Sequence, residues 1–598
     1  SVGAYAGKVI DKIVLEYEME GGKREFCTYF DDISIVDKKA TVKTRPCHYA
    51  TIFRGTNDTP AFSHGLTTPA VTVPQGFNMY GPMTIPESSK HYAWLSDNML
   101  AMTISHEPSI WIGERGSWQF MVNTSKDETA EDLHVKNLRN KFSHKNEIGH
   151  PHYYSVAFGE DGVDAANSSL EMAPTSHGVA VRFKYGKDAK HHSVIFDNQI
   201  GDSKVTFGAD GSFVAYSEHR SNGSGRVYIY GEFDQVPTAT ATKGRSAIAV
   251  FDADEVNLKF ATSYIDYDQA KKNLTLELAG KTFDDVAAEA ADAWDEVFSH
   301  ITDIKGAREE QLDNVYSALY YLYKYPNLLS ENVGTQEAPK WQYFSPYSGK
   351  VEDGVMYINN GFWDTYRTAW AGYSLFTPEK MPELLDGFIR HYHDQGWIPR
   401  WSAPGGVNCM VGTSSDVIFA DALVKGFDFD IEGAYRSAIK DGAVYPNNPT
   451  NGGRTKMERS PFLGYTPGSH EDFSWSIEGY INDYGISQMA KILAERTDDE
   501  DKKAEYLADY EYYRHRALNY TLLFCDGEGV ENKWFRGREA DGSWTTANMT
   551  DGKFDPFFWG RDFTETDAFN MTVSVVHDGK GLANLYGGKD AMAKKMDA

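Results

Sequence analysis

Cysteine is scarce in this 598-residue chain: only Cys27, Cys47, Cys409 and Cys525 occur. None forms a Cys-x-x-Cys pair, which argues against a zinc knuckle. Cys27 and Cys47 are open to two readings, a disulfide or free buried thiols. Positive charge is outnumbered, 59 Lys and Arg against 86 Asp and Glu, for a net charge of -27. So acidic a surface repels phosphate backbones, and no nucleic-acid partner is expected; solubility and a bound cation are both compatible with it. No apolar run approaches the roughly 18 residues of a membrane span. The opening SVGAYAGKVIDKI lacks a charged-then-apolar leader, so a signal was removed or never existed. The common catalytic signatures are missing too: His470-Glu471 lacks the second His of HExxH, and there is no GxSxG, P-loop or GxGxxG. Asp428, Asp430 and Glu432 before Gly433 open like a calcium loop, but Ile439 stands where its closing Glu belongs. His391 and His393, two apart on a helix, face different ways and make a poor metal pair.

Aromatics, by contrast, are plentiful: 14% of residues, with 13 Trp and 36 Tyr. They serve either the core or the faces of sugar sites. Through about residue 280 short alternating runs (KIVLEYEM, ATVKTR, HGVAVRFKYG, HSVIFDN, KVTFGADGSFVAYS, GRVYIYGEF, SAIAVFD) predict strands, and turns such as GADG and SNGSG predict hairpins. That pattern suits a β-sandwich. The period then becomes helical. Thr282 and Asp285 can form a capping box ahead of Phe283, Val286, Ala290, Trp294, Val297 and Ile301. A second helix carries Leu312, Val315, Leu319 and Leu322 and is closed by Pro326. Beyond it, helices alternate with long Gly- and Trp-rich loops. One starts at Pro382 and buries Leu384, Leu385, Phe388 and Ile389; the next is capped by Ser415 and stopped at Gly426; another runs through Ile477, Ile481, Tyr484 and Ile492.

Three segments carry candidate chemistry. In GFWDTYRTAW (361–370), Asp364 either pairs with Arg367 at i,i+3 or accepts from sugar hydroxyls beside Trp363. GWIPRWSAPGGVNCMVGTSSD (396–416) is a loop dense in Trp, Gly and Pro, of the kind that lines a site or packs structurally. In FSWSIEGYINDYGISQMA (473–490), Glu478 lies among Trp475, Ile477, Tyr480 and Ile481. Such surroundings raise a carboxyl pKa and let it hold a proton near neutrality; the alternative is a glutamate favoured by a helix N-terminus.

These segments, with HGLTTPAVTVPQGFNMYGP (64–82), TFDDVAAEAADAWDEVFSHI, VIFADALVKG and DFTETDAFNMTVSVVHDGKGLANLYGGKDAMAKKMDA, together resemble glycoside hydrolase family 92, the calcium-dependent exo-α-mannosidases. The resemblance implies an N-terminal β-sandwich at residues 1–280, a helical connector at 281–325, and an (α/α)6 catalytic domain at 326–598 whose C-terminal part is missing. It implies an inverting reaction in which one carboxylic acid protonates the leaving oxygen and a second carboxylate activates water. Glu478 falls on the family's acid and Asp364 on its mannose-binding Asp; Trp363, Arg367, Trp401, Cys409 and Met410 complete the candidate sugar site. Ser414 stands where many members carry His. The family's calcium segment and its general base are expected beyond Ala598, so the Ca2+ ligands cannot be assigned to residues of this chain. The resulting expectation is an extracytoplasmic exo-mannosidase removing terminal α-linked mannose, α-1,2 first, from N-glycans or mannans. The alternatives are an inactive carbohydrate-binding homologue and another inverting (α/α)6 glycosidase.

Overall fold

The computed structural model describes residues 43–57, 67–86, 91–123, 134–135, 140–159, 168–186, 189, 192–301, 304–526 and 533–597. Cys27, KIVLEYEM, the first half of ATVKTR, and the His-Gly start of the 64–82 segment lie outside them. Two antiparallel sheets make the first half. One runs Met79–Met83, Ala101–Ser105, Trp118–Asn123, His192–Asp197, Ser246–Phe251, Ala239–Lys243. The other has nine strands, ordered Ser203–Phe207, Ser212–Ser217, Val227–Phe233, Glu255–Ser263, Gly178–Lys184, Ser169–Pro174, Tyr153–Phe158, Asn140–His150, Asn98–Met99. Tyr154, Val156 and Phe158 alternate inward along their strand, as a sheet with one solvated face requires. Trp118 stacks on Phe196 with ring centroids 4.9 Å apart and meets the edge of Phe260 at 5.7 Å.

The strand-dominated reading up to residue 280 misses helix α1 (Tyr267–Leu278), capped by Asp266, which accepts from Gln269 N at 2.8 Å. Two of its buried residues are polar, Gln269 and Asn273, hydrogen-bonded to each other at 2.7 Å, so the apolar stripe is too thin to announce a helix. Helix α2 (Phe283–Phe298) has the expected Thr282–Asp285 capping box, and its stripe ends on Phe298 rather than Val297; Ile301 falls past the helix. Helix α3 (Glu309–Lys324) buries Tyr316, Leu319, Tyr320 and Tyr323, a face turned away from the expected Leu312, Val315 and Leu322, which are half-buried. Tyrosines win because their hydroxyls find partners: Tyr320 Oη donates to Ala70 O at 2.7 Å, and Lys324 Nζ to Thr68 O at 2.8 Å. These bonds fasten α3 to the strand half.

The second half continues with α4 (Phe362–Thr365), α5 (Ala369–Phe376), α6 (Met381–Gln395), α7 (Ser415–Val424), α8 (Ile431–Ala443), α9 (Ser460–Leu463), α10 (Asp472–Arg496), α11 (Glu500–Arg516), α12 (Gly579–Tyr586) and α13 (Lys589–Met596). Helix α6 packs on α8, α8 on α7, α7 on α10 and α10 on α11. Among the described residues this is an open layer of helix pairs, part of the expected ring. Ser415 is the first residue of α7 rather than its cap, and Ser414 makes no capping bond. Asp430, in the segment that lacks a calcium loop's closing Glu, caps α8 through Gly433 N (2.9 Å) and receives His393 Nε2 (2.6 Å). Tyr484 is 37% exposed and lies off the buried stripe that Ile477 and Ile481 share.

Candidate active site

Glu478 sits in the second turn of α10, only 2% exposed. Its carboxyl accepts from Tyr366 Oη at 2.8 Å and Arg367 Nη2 at 3.0 Å. Burial pushes its pKa above the ordinary range; the Arg367 charge and the hydrogen-bond donors, with Trp363 acting in the same direction, pull it back only in part. These groups come from the turn around α4. That helix is four residues long, so Arg367 lies beyond it and the i,i+3 geometry does not apply. The pair considered from spacing, Asp364 with Arg367, is therefore not formed: Arg367 goes to Glu478.

Asp364 instead accepts from Trp401 Nε1 at 2.8 Å. Solvent reaches it, yet enough protein surrounds it that desolvation raises its pKa; Trp401 lowers it and Glu565 raises it further. The two segments meet where Gly361 pairs with Trp401 in a short sheet. A Cβ on Gly361 would lie 2.0 Å from Trp401 Cε2 and 2.3 Å from Asp364 Oδ2, so only glycine allows this approach. Arg400, over the Trp475 ring at 4.8 Å, donates to Met410 O and Asn408 Oδ1 and so braces the loop bearing Cys409 and Met410. Burial raises the Cys409 thiol pKa, and so does the nearby Asp364 carboxylate. Hydrogen bonds, the short sheet and charge thus link Glu478, Trp363, Asp364, Arg367, Trp401 and Cys409 in one site; Met410 contributes a braced carbonyl.

Sequence reasoning missed Glu565, which acts electrostatically on both Asp364 and Cys409. Its segment is docked on the start of α10 by Thr564 N to Ser474 Oγ (2.9 Å) and Ser474 N to Asp562 O (3.3 Å). Sequence reasoning also missed Asn359, at φ 60, just ahead of the cleft segment. The buried guanidinium of Arg115, from the strand half, donates to Asn359 Oδ1 at 2.8 Å, and Asn359 Nδ2 reaches Asn327 Oδ1 at 2.8 Å. The strand half thereby holds the loop that presents Trp363 and Asp364.

Among the described residues, groups of three or more His, Cys, Asp or Glu donors form at Cys47–His48–His152 and at His91–Glu107–Glu114, and neither group includes Glu478 or Asp364.

A strand half joined to helix pairs, with a buried carboxyl beside Trp and Tyr side chains, is an arrangement that suits a glycoside hydrolase, and the family matches establish that class. The chain belongs to glycosyl hydrolase family 92: residues 49–279 match the family's N-terminal domain and 269–598 its catalytic domain. A family 92 inverting mannosidase from Bacteroides thetaiotaomicron superposes with TM-score 0.83 at 27% identity, over 93% of this chain and 74% of that one. An α-mannosidase of the family from the same organism, solved with mannoimidazole, gives TM-score 0.76 at 21% identity over 92% and 73%, a likeness of fold. An uncharacterized secreted glycosidase of Arthroderma benhamiae is 24% identical over 378 residues, 57% of this chain and 41% of the relative's length.

Proposed function

We propose that this protein is an inverting exo-α-mannosidase in which Glu478 is the general acid. The observation that carries the reading is a fully buried carboxyl whose pKa burial raises, in contact with the short segment that bears Asp364, which Trp401 fixes. A glycosidase acid must hold its proton near neutrality to deliver it to the leaving oxygen. Asp364 would anchor the terminal mannose, with Trp363 and Trp401 offering ring faces and Arg367 setting the charge around Glu478. The mannosidase activity of the relative at 27% identity supports mannose as the sugar. An extracytoplasmic setting is supported by the secreted relative. No described helix is long and apolar enough to cross a membrane.

Calcium is the ion the family resemblance implies for the sugar hydroxyls. Exhaustive chelation should abolish turnover, and calcium should restore it better than zinc, because oxygen donors suit a hard cation. The deciding experiment is incubation with α-1,2-, α-1,3- and α-1,6-mannobiose, following free mannose and its anomer by NMR. Release of β-mannose, fastest from the α-1,2 substrate, is expected. Binding without release would establish the inactive homologue, and release of glucose from α-glucosides the other inverting glycosidase.

A further inference from the structure

We propose that Cys47, His48 and His152 bind one zinc ion that clips the short turn Pro46–His48 to the strand half, at a site separate from the cleft. One donor atom from each of the three lies within 4.8 Å of the others. Zinc bonds to sulfur and imidazole nitrogen, at about 2.3 and 2.0–2.1 Å, place tetrahedral donors about 3.5 Å apart, so modest side-chain rotation closes the triangle. His152 is 7% exposed, and its buried Nδ1 has no hydrogen-bond partner. That nitrogen is therefore free to take a ligand. His48 is half-exposed, and its Nδ1 makes only a long contact with Thr44 N, at 3.4 Å. A third imidazole, His150, stacks on His152 with ring centroids 5.7 Å apart; its Nδ1 is engaged with Ala50 O at 2.8 Å, so it packs the site rather than completing it.

His48 and His152 each offer a ring nitrogen, and Cys47 its sulfur, as ligand atoms. Burial and Asp295 keep the Cys47 thiol protonated, with its pKa pushed up to about 12. On binding, the Cys47 S–H bond breaks, a sulfur–zinc bond forms, and the proton leaves to solvent. Asp295 is occupied: it accepts from Cys47 N at 2.7 Å and pairs with Arg45, which also reaches Asp292 at 2.6 Å. Water on the half-exposed His48 side supplies the fourth ligand. One sulfur and two nitrogens favour zinc over calcium. The ion would join a turn at residues 46–48 to the turn after Asn140–His150, beside α2, which Arg45 already grips.

The test uses the full chain, stripped by chelation, dialysed free of chelator and titrated with Zn2+ or Co2+. About one equivalent of zinc should be retained, the melting temperature should rise with it, and cobalt should show a thiolate charge-transfer band in the near ultraviolet. Cys47→Ser should abolish the band, while Cys409→Ser and Cys525→Ser keep it. His48→Ala and His152→Ala should each weaken zinc binding by more than about 100-fold, the most that losing a group which only orients a ligand costs. Should Cys47→Ser fail to fold, His48→Ala, at its half-exposed position, carries the test by zinc retention alone. A band that survives in Cys47→Ser would overturn the proposal. So would a melting temperature indifferent to zinc, or a peptide map showing Cys47 in a disulfide.

Discussion

Two buried glutamates, one in each half of the molecule, meet opposite fates. Glu114, in the strand half, accepts from His91 Nε2 (2.8 Å), Ser105 Oγ (2.5 Å), His106 N (2.7 Å) and Arg115 N (2.8 Å). Burial pushes its pKa up, but the His91 bond and charge, with the other donors, bring it down to about 2. Glu478, in the helical half, is equally buried, yet its donors come from one turn, and its cation, Arg367, is 44% exposed on its side chain. There burial wins and the pKa rises. Burial alone does not decide whether a carboxyl keeps its proton; the number of donors, and whether their charge is shielded from water, does. One half locks a charge in place, and the other keeps a proton ready.

The largest effect should come from Glu478→Gln. Hydrolysis of mannobiose should fall about 10²–10⁴-fold, the usual worth of general acid catalysis, while an aryl mannoside with a good leaving group suffers less. Steady-state kinetics on both substrates check this, and equal losses would remove Glu478 from the acid's role. Next, Glu114→Gln leaves a raised-pKa His91 without its counter-charge and should cost about 3–5 kcal/mol of stability, read from denaturant midpoints. An unchanged midpoint would mean that the donors around Glu114 do not need its charge.

Asp364→Ala should weaken mannose binding by about 1.5–3 kcal/mol, the worth of hydrogen bonds to a charged group, and lower kcat/KM without moving the melting temperature. Early melting with normal inhibitor affinity, by calorimetry, would place Asp364 in the scaffold. The smallest effect is a shift in pH. Arg367 lowers the Glu478 pKa, so Arg367→Ala should raise it, and the basic limb of the kcat/KM profile should move to higher pH. Stability follows the same sign. Because the folded Glu478 pKa lies above its unfolded value, ionising it costs stability as pH rises from the unfolded pKa through the folded one. Glu478→Gln should therefore gain on the parent protein across that window. Glu114 runs the other way: its depressed pKa contributes stability above the unfolded value, lost as pH falls toward about 2.

What could be read in advance followed from residue type and period. Thr282 with Asp285 announced α2, alternation announced strands such as Tyr153–Phe158, and Glu478 stood out as an acid set into an apolar run. What stayed hidden depends on contacts far apart in the chain. Glu565 borders Asp364 only because its loop docks on α10, and α1 buries amides whose partners lie on other segments, as Asn273 does with Glu331 at 2.9 Å. Arg367 faces Glu478 because α4 stops after four residues, a boundary that no period in GFWDTYRTAW marks.

The reach of Arg115 into Asn359 has a practical side. The sequence offers an inviting place to cut, the stretch 269–279 where the two family models overlap, and α1 occupies nearly the same residues. A catalytic half expressed from there would leave Asn359 without its guanidinium, and Ala70 and Thr68 without Tyr320 and Lys324. The smallest piece worth transplanting, swapping or recombining with a relative is therefore both halves together, inherited as a single cartridge.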